Sequence, residues 1–355
     1  MLTHRTILSS RLAAQHIAAP AFNTPGEIVT HLGAMQAQEF AMAKWAIGLR
    51  SKSLAETDID KAFNTGKILR THLLRPTWHF VAPEDIRWLL KLTAPRVHQA
   101  NAFMYKQSEL DAALFKKSNA IISKALDGGK HLTREELQTE LARKKIKADG
   151  FRLGYIMMCA ELEGLICSGP RRGNQFTYAL IDEWVPKQKS ISQTEALLNL
   201  ILRFYKSRGP ATASDFKYWS GLTRKETDKG IALAENELQH EVFDDEVYYF
   251  HVHEKSVSAK AQTTFLMADY DEFGMSYKDK AKLQHPDSSG KTNYNRMVVV
   301  DGYIAGSWKR TVNGKNVVFD ISPNITLSKK QEKAVVQAAE QFAVFINKEP
   351  EITFQ

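Results

Sequence analysis

Apolar residues recur three and four positions apart through most of the chain as far as Phe250, interrupted by short strand-like runs. Ile7, Leu8, Leu12 and Ile17 form the first stripe and predict a helix over 5–18. Thr24-Pro25 followed by Ile28, Val29, Leu32 and Met35 supplies an N-cap, a proline at the first helical position and a second stripe. Met42, Trp45, Ala46 and Leu49 carry a third helix up to Arg50. A short helix is expected over 57–66, capped by Thr57 or Asp58 and stopped at Gly66. Ile68–Val81 is rich in β-branched and aromatic residues and is split by Pro76, so it reads as two short strands. Pro83-Glu84-Asp85 starts a helix through Trp88, Leu89 and Leu92, and a polar helical stretch follows to about residue 127.

The plan then repeats. Thr133-Arg-Glu-Glu136 is a capping box, with Leu132 and Leu137 as its hydrophobic staple, and opens a helix to Lys145. After Asp149-Gly150, Leu153, Ile156, Met157 and Ala160 mark a second helix that ends before Gly164. Leu165–Gly169 and Phe176–Leu180 read as strands around Pro170-Arg171-Arg172-Gly173. Further on, Glu195–Lys206 and Ser214–Trp219 are helical, and Thr223-Arg-Lys-Glu226 opens another helix. A hairpin of 238–243 and 247–252 follows, turning on Asp244-Asp245-Glu246. Helices followed by a hairpin are the layout of a winged helix, repeated here. From 261 the pattern is α+β, with a buried strand at Thr263–Ala268 and a polar corner at Asp269-Tyr-Asp271-Glu272-Phe273. Hairpins turn at Asp301-Gly302 and Asn313-Gly314, and a helix over 328–347 carries Val335, Val336, Ala339, Phe342 and Phe345 on one side. The Gln284–Lys291 loop is rich in Pro, Ser and Gly. The expected fold class is therefore α+β, mainly α. Its modules are about three tandem winged-helix units, at 1–110, 111–190 and 191–258, and a C-terminal α+β subdomain at 259–355.

Composition narrows the class. Of the 355 residues 43% are apolar and 25% charged, the balance of a soluble globular protein. No apolar run reaches the roughly 18 residues that span a bilayer, and the start lacks the apolar core of a signal peptide. The two cysteines, Cys159 and Cys167, lie among apolar neighbours; this argues against a disulfide framework or a cysteine-based zinc site and suits a reducing cytoplasm. Charge is unevenly spread: residues 1–190 hold 27 Lys and Arg against 18 Asp and Glu, whereas 191–355 hold 21 against 22. Such a surface attracts polyanions, of which nucleic acid is the commonest soluble one. Arg171 and Arg172 stand where a wing meets phosphate or minor groove, unless they are only a solubilising turn. The acidic tip of the later hairpin repels a phosphate backbone.

The candidate chemistry centres on Gln36 and Gln38, which interrupt an apolar helical pattern near a junction between two helices. An amide has no accessible pKa, so neither is a general base; each can donate and accept, and so orient a water or hold a base edge. The competing reading is that both satisfy loose backbone groups at the junction. Asp269, Asp271 and Glu272 read as turn capping, with a carboxylate pair or metal corner as the alternative. His79 either faces a channel or is a satisfied buried histidine. His251 and His253 alternate on a strand without an evident third ligand. There is no phosphate-cradling glycine loop and no nucleophile elbow.

Several strings, in chain order over nearly the whole length, resemble the winged-helix family that includes the AlkZ and YcaQ DNA glycosylases. They are Leu32-Gly-Ala-Met-Gln36-Ala-Gln38, Arg70-Thr-His-Leu-Leu-Arg-Pro-Thr-Trp-His79, Gly209-Pro-Ala-Thr212 with Asp215-Phe216 and Trp219-Ser-Gly-Leu222, Asp269-Tyr-Asp-Glu-Phe273 and Gly302-Tyr-Ile-Ala-Gly-Ser-Trp308. The resemblance implies a C-shaped protein whose winged helices line a basic channel for duplex DNA. It also implies excision of N-alkylated purines and, in some members, unhooking of interstrand crosslinks. The family's catalytic motif is Gln, an apolar residue, Gln, and Gln36-Ala37-Gln38 matches it; another branch has Asp at the last position. Ala37 is a small version of the middle residue, which bears on pocket shape and substrate range. The expectation is a monofunctional DNA glycosylase that uses Gln36 and Gln38 for catalysis. Arg70, Lys144, Lys145, Arg171 and Arg172 hold the DNA, and His79 is a candidate channel residue. No cofactor or metal is expected, and the partner is double-stranded DNA rather than a membrane. The chain is expected to act as a monomer in the cytoplasm, associated with the nucleoid. The alternative is a non-catalytic winged-helix DNA-binding protein.

Overall fold

The computed structural model describes residues 2–251, 263–288 and 294–355; the expectations at Val252, His253 and Lys291 lie outside them. Helices and strands are mixed throughout, and the chain divides into two compact units. One comprises the chain up to Ile59, Leu198–Trp219 and Arg224–Gln355; the other comprises Asp60–Leu197 and Ser220–Thr223.

The first unit opens with α1 (His4–Ala14), α2 (Pro25–Leu32), the short strand β1 (Met35–Gln36) and α3 (Phe40–Gly48). α1 stops short of its expected end because His16 takes φ 55°, which ends the right-handed helix while Ile17 stays buried. Thr24 caps α2 in a capping box with Glu27, and Gly33 at φ 72° terminates it. Only a glycine takes that conformation without strain, so this residue turns the chain out of the helix just before the glutamines. α4 (Glu56–Asn64) begins before the expected cap: Asp58 lies inside the first turn and its carboxylate accepts from the Ala55 N–H at 2.9 Å.

In the second unit, β2 (Leu69–Leu73) and β3 (Thr77–Val81) pair antiparallel, with Arg70 opposite Phe80 and His72 opposite Trp78. The expected polar helical stretch is two helices, α5 (Ile86–Gln107) and α6 (Ala112–Leu126), separated where Glu109 takes φ 51°. Next come β4 (Leu132–Thr133), α7 (Arg134–Arg143), α8 (Gly150–Leu162), β5 (Ile166–Ser168), β6 (Thr177–Leu180) and α9 (Ile181–Trp184). The Thr133–Glu136 capping box forms as its spacing requires. The strands pair in the order β4-β6-β5, and α6, α7 and α8 bury Ile122, Leu137, Leu141, Ile156 and Met157 beside Ile166 and Leu180.

The first unit resumes with α10 (Gln193–Arg208), β7 (Ala211–Thr212), α11 (Ala213–Ser220), α12 (Arg224–Leu233), β8 (Leu238–Phe243) and β9 (Glu246–His251). The sheet order is β7-β9-β8, and the hairpin turns on Asp244 and Asp245, both at positive φ. The remaining elements are β10 (Phe265–Leu266), α13 (Glu272–Met275), β11 (Met297–Val300), β12 (Tyr303–Asn313), β13 (Asn316–Pro323), α14 (Lys329–Phe345) and β14 (Glu349–Phe354). They build a sheet in the order β10-β11-β12-β13-β14. Asn313 pairs with Asn316, so the tight turn is Gly314-Lys315, one residue later than expected. β14 escapes sequence reasoning because Pro350 breaks its strand pattern; it pairs parallel to β13 at the sheet edge, where a missing N–H is tolerated.

α14 covers this sheet. The Phe342 ring meets Trp45, Trp308 and Phe319 with centroids 5.1, 5.4 and 5.7 Å away. Deleting a fully enclosed aromatic leaves a cavity that such a cluster closes poorly. Phe342→Ala should therefore destabilise the protein by about 3–5 kcal/mol, read as a lower denaturant midpoint with helix content retained at neutral pH.

Candidate active site

The glutamine segment leaves α2 at Gly33 and runs extended through Ala34, Met35 and Gln36 before α3 begins. Gln36 is 7% exposed and Ala37 fully buried. Gln38 is exposed. The backbone leading into Gln36 is held from one direction by Arg208, the last residue of α10. Its guanidinium donates to the carbonyls of Leu32 and Ala34 at 2.8 and 2.9 Å. It is held from the other by Glu272, at the start of α13, whose Oε1 accepts the Gln36 N–H at 2.8 Å.

Arg208 and Glu272 also pair directly, Nη2 to Oε2 at 2.8 Å, with side chains 0% and 1% exposed. The same Oε2 accepts from Trp219 Nε1 at 3.0 Å and Ser276 Oγ at 2.8 Å. Trp219 further lays its ring 4.4 Å from the Arg208 guanidinium carbon. Burial by itself would raise the Glu272 carboxyl. Arg208, by charge and hydrogen bond, together with Gln36 N–H and Ser276, outweighs burial and holds it at about 2. Glu272 is thus an ionised, four-fold satisfied anchor, and a carboxylate so occupied is not a proton shuttle.

A second buried ion pair stands beside it. Arg50, two residues past α3, donates to both Asp271 oxygens at 2.9 and 2.8 Å and to Gln15 Oε1 at 2.7 Å. Gln15 Nε2 donates to Tyr277 Oη at 3.1 Å, and Tyr277 Oη donates to the Arg208 carbonyl at 2.9 Å. Burial pushes the Tyr277 hydroxyl up to about 12, so it keeps the proton this bond uses. One hydrogen-bonded path therefore runs from Asp271 through Arg50, Gln15 and Tyr277 to Arg208, Glu272 and the Gln36 backbone. Asp271 also caps α13, accepting from Phe273 N–H at 2.8 Å, and Asp269 pairs with Arg296 at 2.8 Å. Each carboxylate of the polar corner is engaged by an arginine, and of the three the turn-capping reading fits Asp271, which also accepts from the Phe273 N–H.

The other expected site residues belong to the second unit and are placed unequally. Arg70 is 8% exposed, with its guanidinium carbon 4.3 Å from the Trp78 ring and 4.7 Å from the Phe176 ring. His79 is 0% exposed and its Nδ1 lies 2.9 Å from the Thr77 carbonyl. Of the two readings of His79 this is the buried one, and its candidacy for the channel is corrected: strand alternation puts His79 on the face of the β2–β3 hairpin opposite Arg70, and that face is buried. Arg171 is half-buried, donates its backbone N–H to Asn64 Oδ1 at 2.8 Å and stacks near Phe176. Arg172 is exposed, but donates to Glu136 Oε1 and the His131 carbonyl, both at 2.8 Å. Lys144 and Lys145 are exposed at the end of α7. His251 is half-buried on β9, and its companion His253 is outside the described residues.

A family model described as DNA glycosylase AlkZ-like matches residues 29–345. The chain belongs to the AlkZ-like DNA glycosylase family. An interstrand DNA cross-link repair glycosylase from Streptomyces sahachiroi is 23% identical, covering 96% of this chain and 95% of that protein. The solved structure of Streptomyces sahachiroi DNA glycosylase AlkZ superposes with a TM-score of 0.80 at 20% identity, over 100% of both chains.

In this AlkZ-like glycosylase the site divides its labour between neutral and charged groups. The exposed amide is neutral, and the charged groups are buried behind the segment. Sequence reasoning did not find Arg208, Ser276, Tyr277 or Gln15. The one available signal was that Trp219 and Glu272 both fall in family-like strings separated from the glutamines by most of the chain.

Glu272→Gln would leave the Arg208 charge buried without its partner, so stability near neutral pH should fall by about 3–5 kcal/mol. The folded carboxyl is held at about 2, below its reference of 4.5. Its contribution is therefore complete above the reference value and is lost as pH falls through the folded value. Denaturation of wild type and variant across that acid range should show the gap narrowing on acidification. A gap independent of pH would contradict this account.

Proposed function

We propose that this chain excises N-alkylated purines of the N7-alkylguanine type from duplex DNA, with Gln36 and Gln38 orienting the attacking water. One observation carries the reading: the backbone entering Gln36 is clamped by the Arg208–Glu272 pair, while Gln38 is exposed two residues later. A purine alkylated at N7 carries positive charge, so its glycosidic bond is already weakened and the base departs without a protonating acid. What remains is a placed water and a site that favours an oxocarbenium-like transition state, which is a matter of orientation and electrostatics. Two amides with no accessible pKa suit that demand. The relative named for interstrand cross-link repair supports extending the substrate class to cross-linked purines. A cross-linked base cannot swing fully out of the duplex, so an open groove suits it better than a snug pocket.

Two helix pairs followed by hairpins, α7–α8 with β5–β6 and α11–α12 with β8–β9, support tandem winged helices within 111–190 and 191–258. The first of these is the DNA-holding module. Its α7–α8 turn exposes Arg143, Lys144, Lys145 and Lys147, and Phe151 in the first turn of α8 is 81% exposed. Arg172 adds an exposed cation at the hairpin tip, beside the start of α7 rather than its end, with part of its donor capacity already used by Glu136. The buried Arg70 packs its own hairpin and is assigned no phosphate. The protein acts as a monomer on nucleoid DNA in the cytoplasm; among the described residues no helix is long and apolar enough to cross a membrane.

The test is release of 7-methylguanine from an alkylated duplex. Gln38→Ala should slow release by about 10²-fold, the cost of losing one placed polar group, with duplex affinity unchanged. Turnover untouched by both Gln38→Ala and Gln36→Ala would overturn the roles, and duplex binding without base release would favour the non-catalytic reading. In parallel, Lys144→Ala and Lys145→Ala should each lower the salt slope of DNA binding by about one unit. Arg172→Ala should lower it by less.

A further inference from the structure

The two cysteines alone offer no zinc motif, but the fold of the second unit gives one of them different company. Cys159 on α8 and Glu163 at that helix's C-cap are four residues apart and share a face. His98 on α5 meets them, and one ligand atom from each of the three lies within 4.8 Å of the others. His98 Nε2 is 3.1 Å from Glu163 Oε1. The helices are held together next to this cluster by Ala94, Val97, Met158 and Leu162. All three side chains line one cavity of about 520 Å³.

We propose that His98, Cys159 and Glu163 bind a single zinc-class divalent ion, leaving one coordination position open to the cavity. A thiolate, an imidazole nitrogen and a carboxylate are a donor set that favours zinc and late first-row ions over magnesium or calcium. Around a tetrahedral ion, donors with bond lengths of about 2.0–2.3 Å stand roughly 3.5 Å apart, so the widest pair of the cluster closes by at most about 1.3 Å on binding. The outer contacts fit as well. His98 Nδ1 is 3.0 Å from Tyr105 Oη, so with Nε2 on the metal the Nδ1–H donates to the tyrosine, fixing tautomer and ring orientation. Asn119, in the same cavity wall, has a buried Oδ1 with no hydrogen-bond partner among the described residues, and a metal-bound water is a donor of the kind it lacks. On binding, the Cys159 proton leaves to solvent as the metal–sulfur bond forms, while His98 enters neutral and Glu163 ionised. The ion ties the C-terminal end of α8 to α5. The three ligands belong to the second unit and the glutamines to the first, and the ion is assigned no role in base release.

The test uses untagged full-length protein titrated with Co²⁺ as a spectroscopic substitute for zinc. One equivalent should produce a thiolate-to-cobalt charge-transfer band and tetrahedral visible bands, and Zn²⁺ should bleach both. Cys167→Ser should leave the bands intact, and Cys159→Ser should remove the charge-transfer band. Tyr105→Phe should weaken binding by about tenfold. Glu163→Gln alters a side chain that is largely solvent-exposed, so it keeps the test sound if the cysteine variant folds poorly; affinity should fall by at least about tenfold. The absence of a stoichiometric charge-transfer band, a band that survives Cys159→Ser, unchanged affinity in Glu163→Gln, or failure of Zn²⁺ to displace Co²⁺ would each overturn the proposal.

Discussion

The buried pairing of Arg208 with Glu272 is the interaction on which the site depends. Moving a guanidinium and a carboxylate out of water costs several kcal/mol per ion, and their attraction offsets this only when the remaining donors and acceptors are also satisfied. Here they are. Arg208 spends its N–H groups on two carbonyls, two serines and the carboxylate, and Glu272 accepts from Arg208, Trp219, Ser276 and the Gln36 backbone. Such a pair contributes little net stability compared with a well-packed apolar core. Its physical effect is specificity: a one-residue slip of the Leu32–Gln36 segment would strand a buried charge.

If the glutamine segment acts as proposed, that arrangement lets it do so without a reactive group of its own. Catalysis by orientation requires small positional errors, and side chains on a loop are usually too mobile to supply this. The Gln36 segment is short, begins at a glycine that ends α2 and is bonded at two carbonyls and one N–H to residues from α10 and α13. The second ion pair, Arg50 with Asp271, reaches the same point through Gln15 and Tyr277, so displacement of α3 or α13 is felt at the glutamines. On the proposed reading the catalytic demand and the packing demand fall on separate residues. Of the two amides Gln38 is exposed and Gln36 is buried, and the ionised groups stay inside.

Basic residues that look equivalent along the chain have diverged in the fold of the second unit. Arg70 and Arg171 use Phe176 as a platform, and Arg172 reinforces the capping box of α7 through Glu136. Lys144 and Lys145 alone among the expected cations stand exposed at a helix end. Arginine suits the first role because its planar, weakly hydrated head stacks on rings and bridges acceptors; lysine keeps a strongly hydrated point charge in solvent. Counting cations therefore indicates that a polyanion is bound, but not which cations meet it.

Much of the architecture was legible in the chain itself, because helix stripes, capping boxes and tight turns are written within a few neighbouring residues. Thr24 with Glu27, Thr133 with Glu136 and the Asp301-Gly302 turn all carry their meaning locally. Boundaries failed where the determinant was a single backbone conformation, as at His16 and Glu109. β14 failed because a proline-containing segment becomes a strand only when an edge is there to receive it. The tertiary structure alone decided that Glu272 grips Gln36, that His79 is buried while Lys144 is not, and that Cys159 stands beside His98. Those outcomes depend on which distant elements pack together, and the energy of a buried charge or a shared ligand cluster exists only once they do.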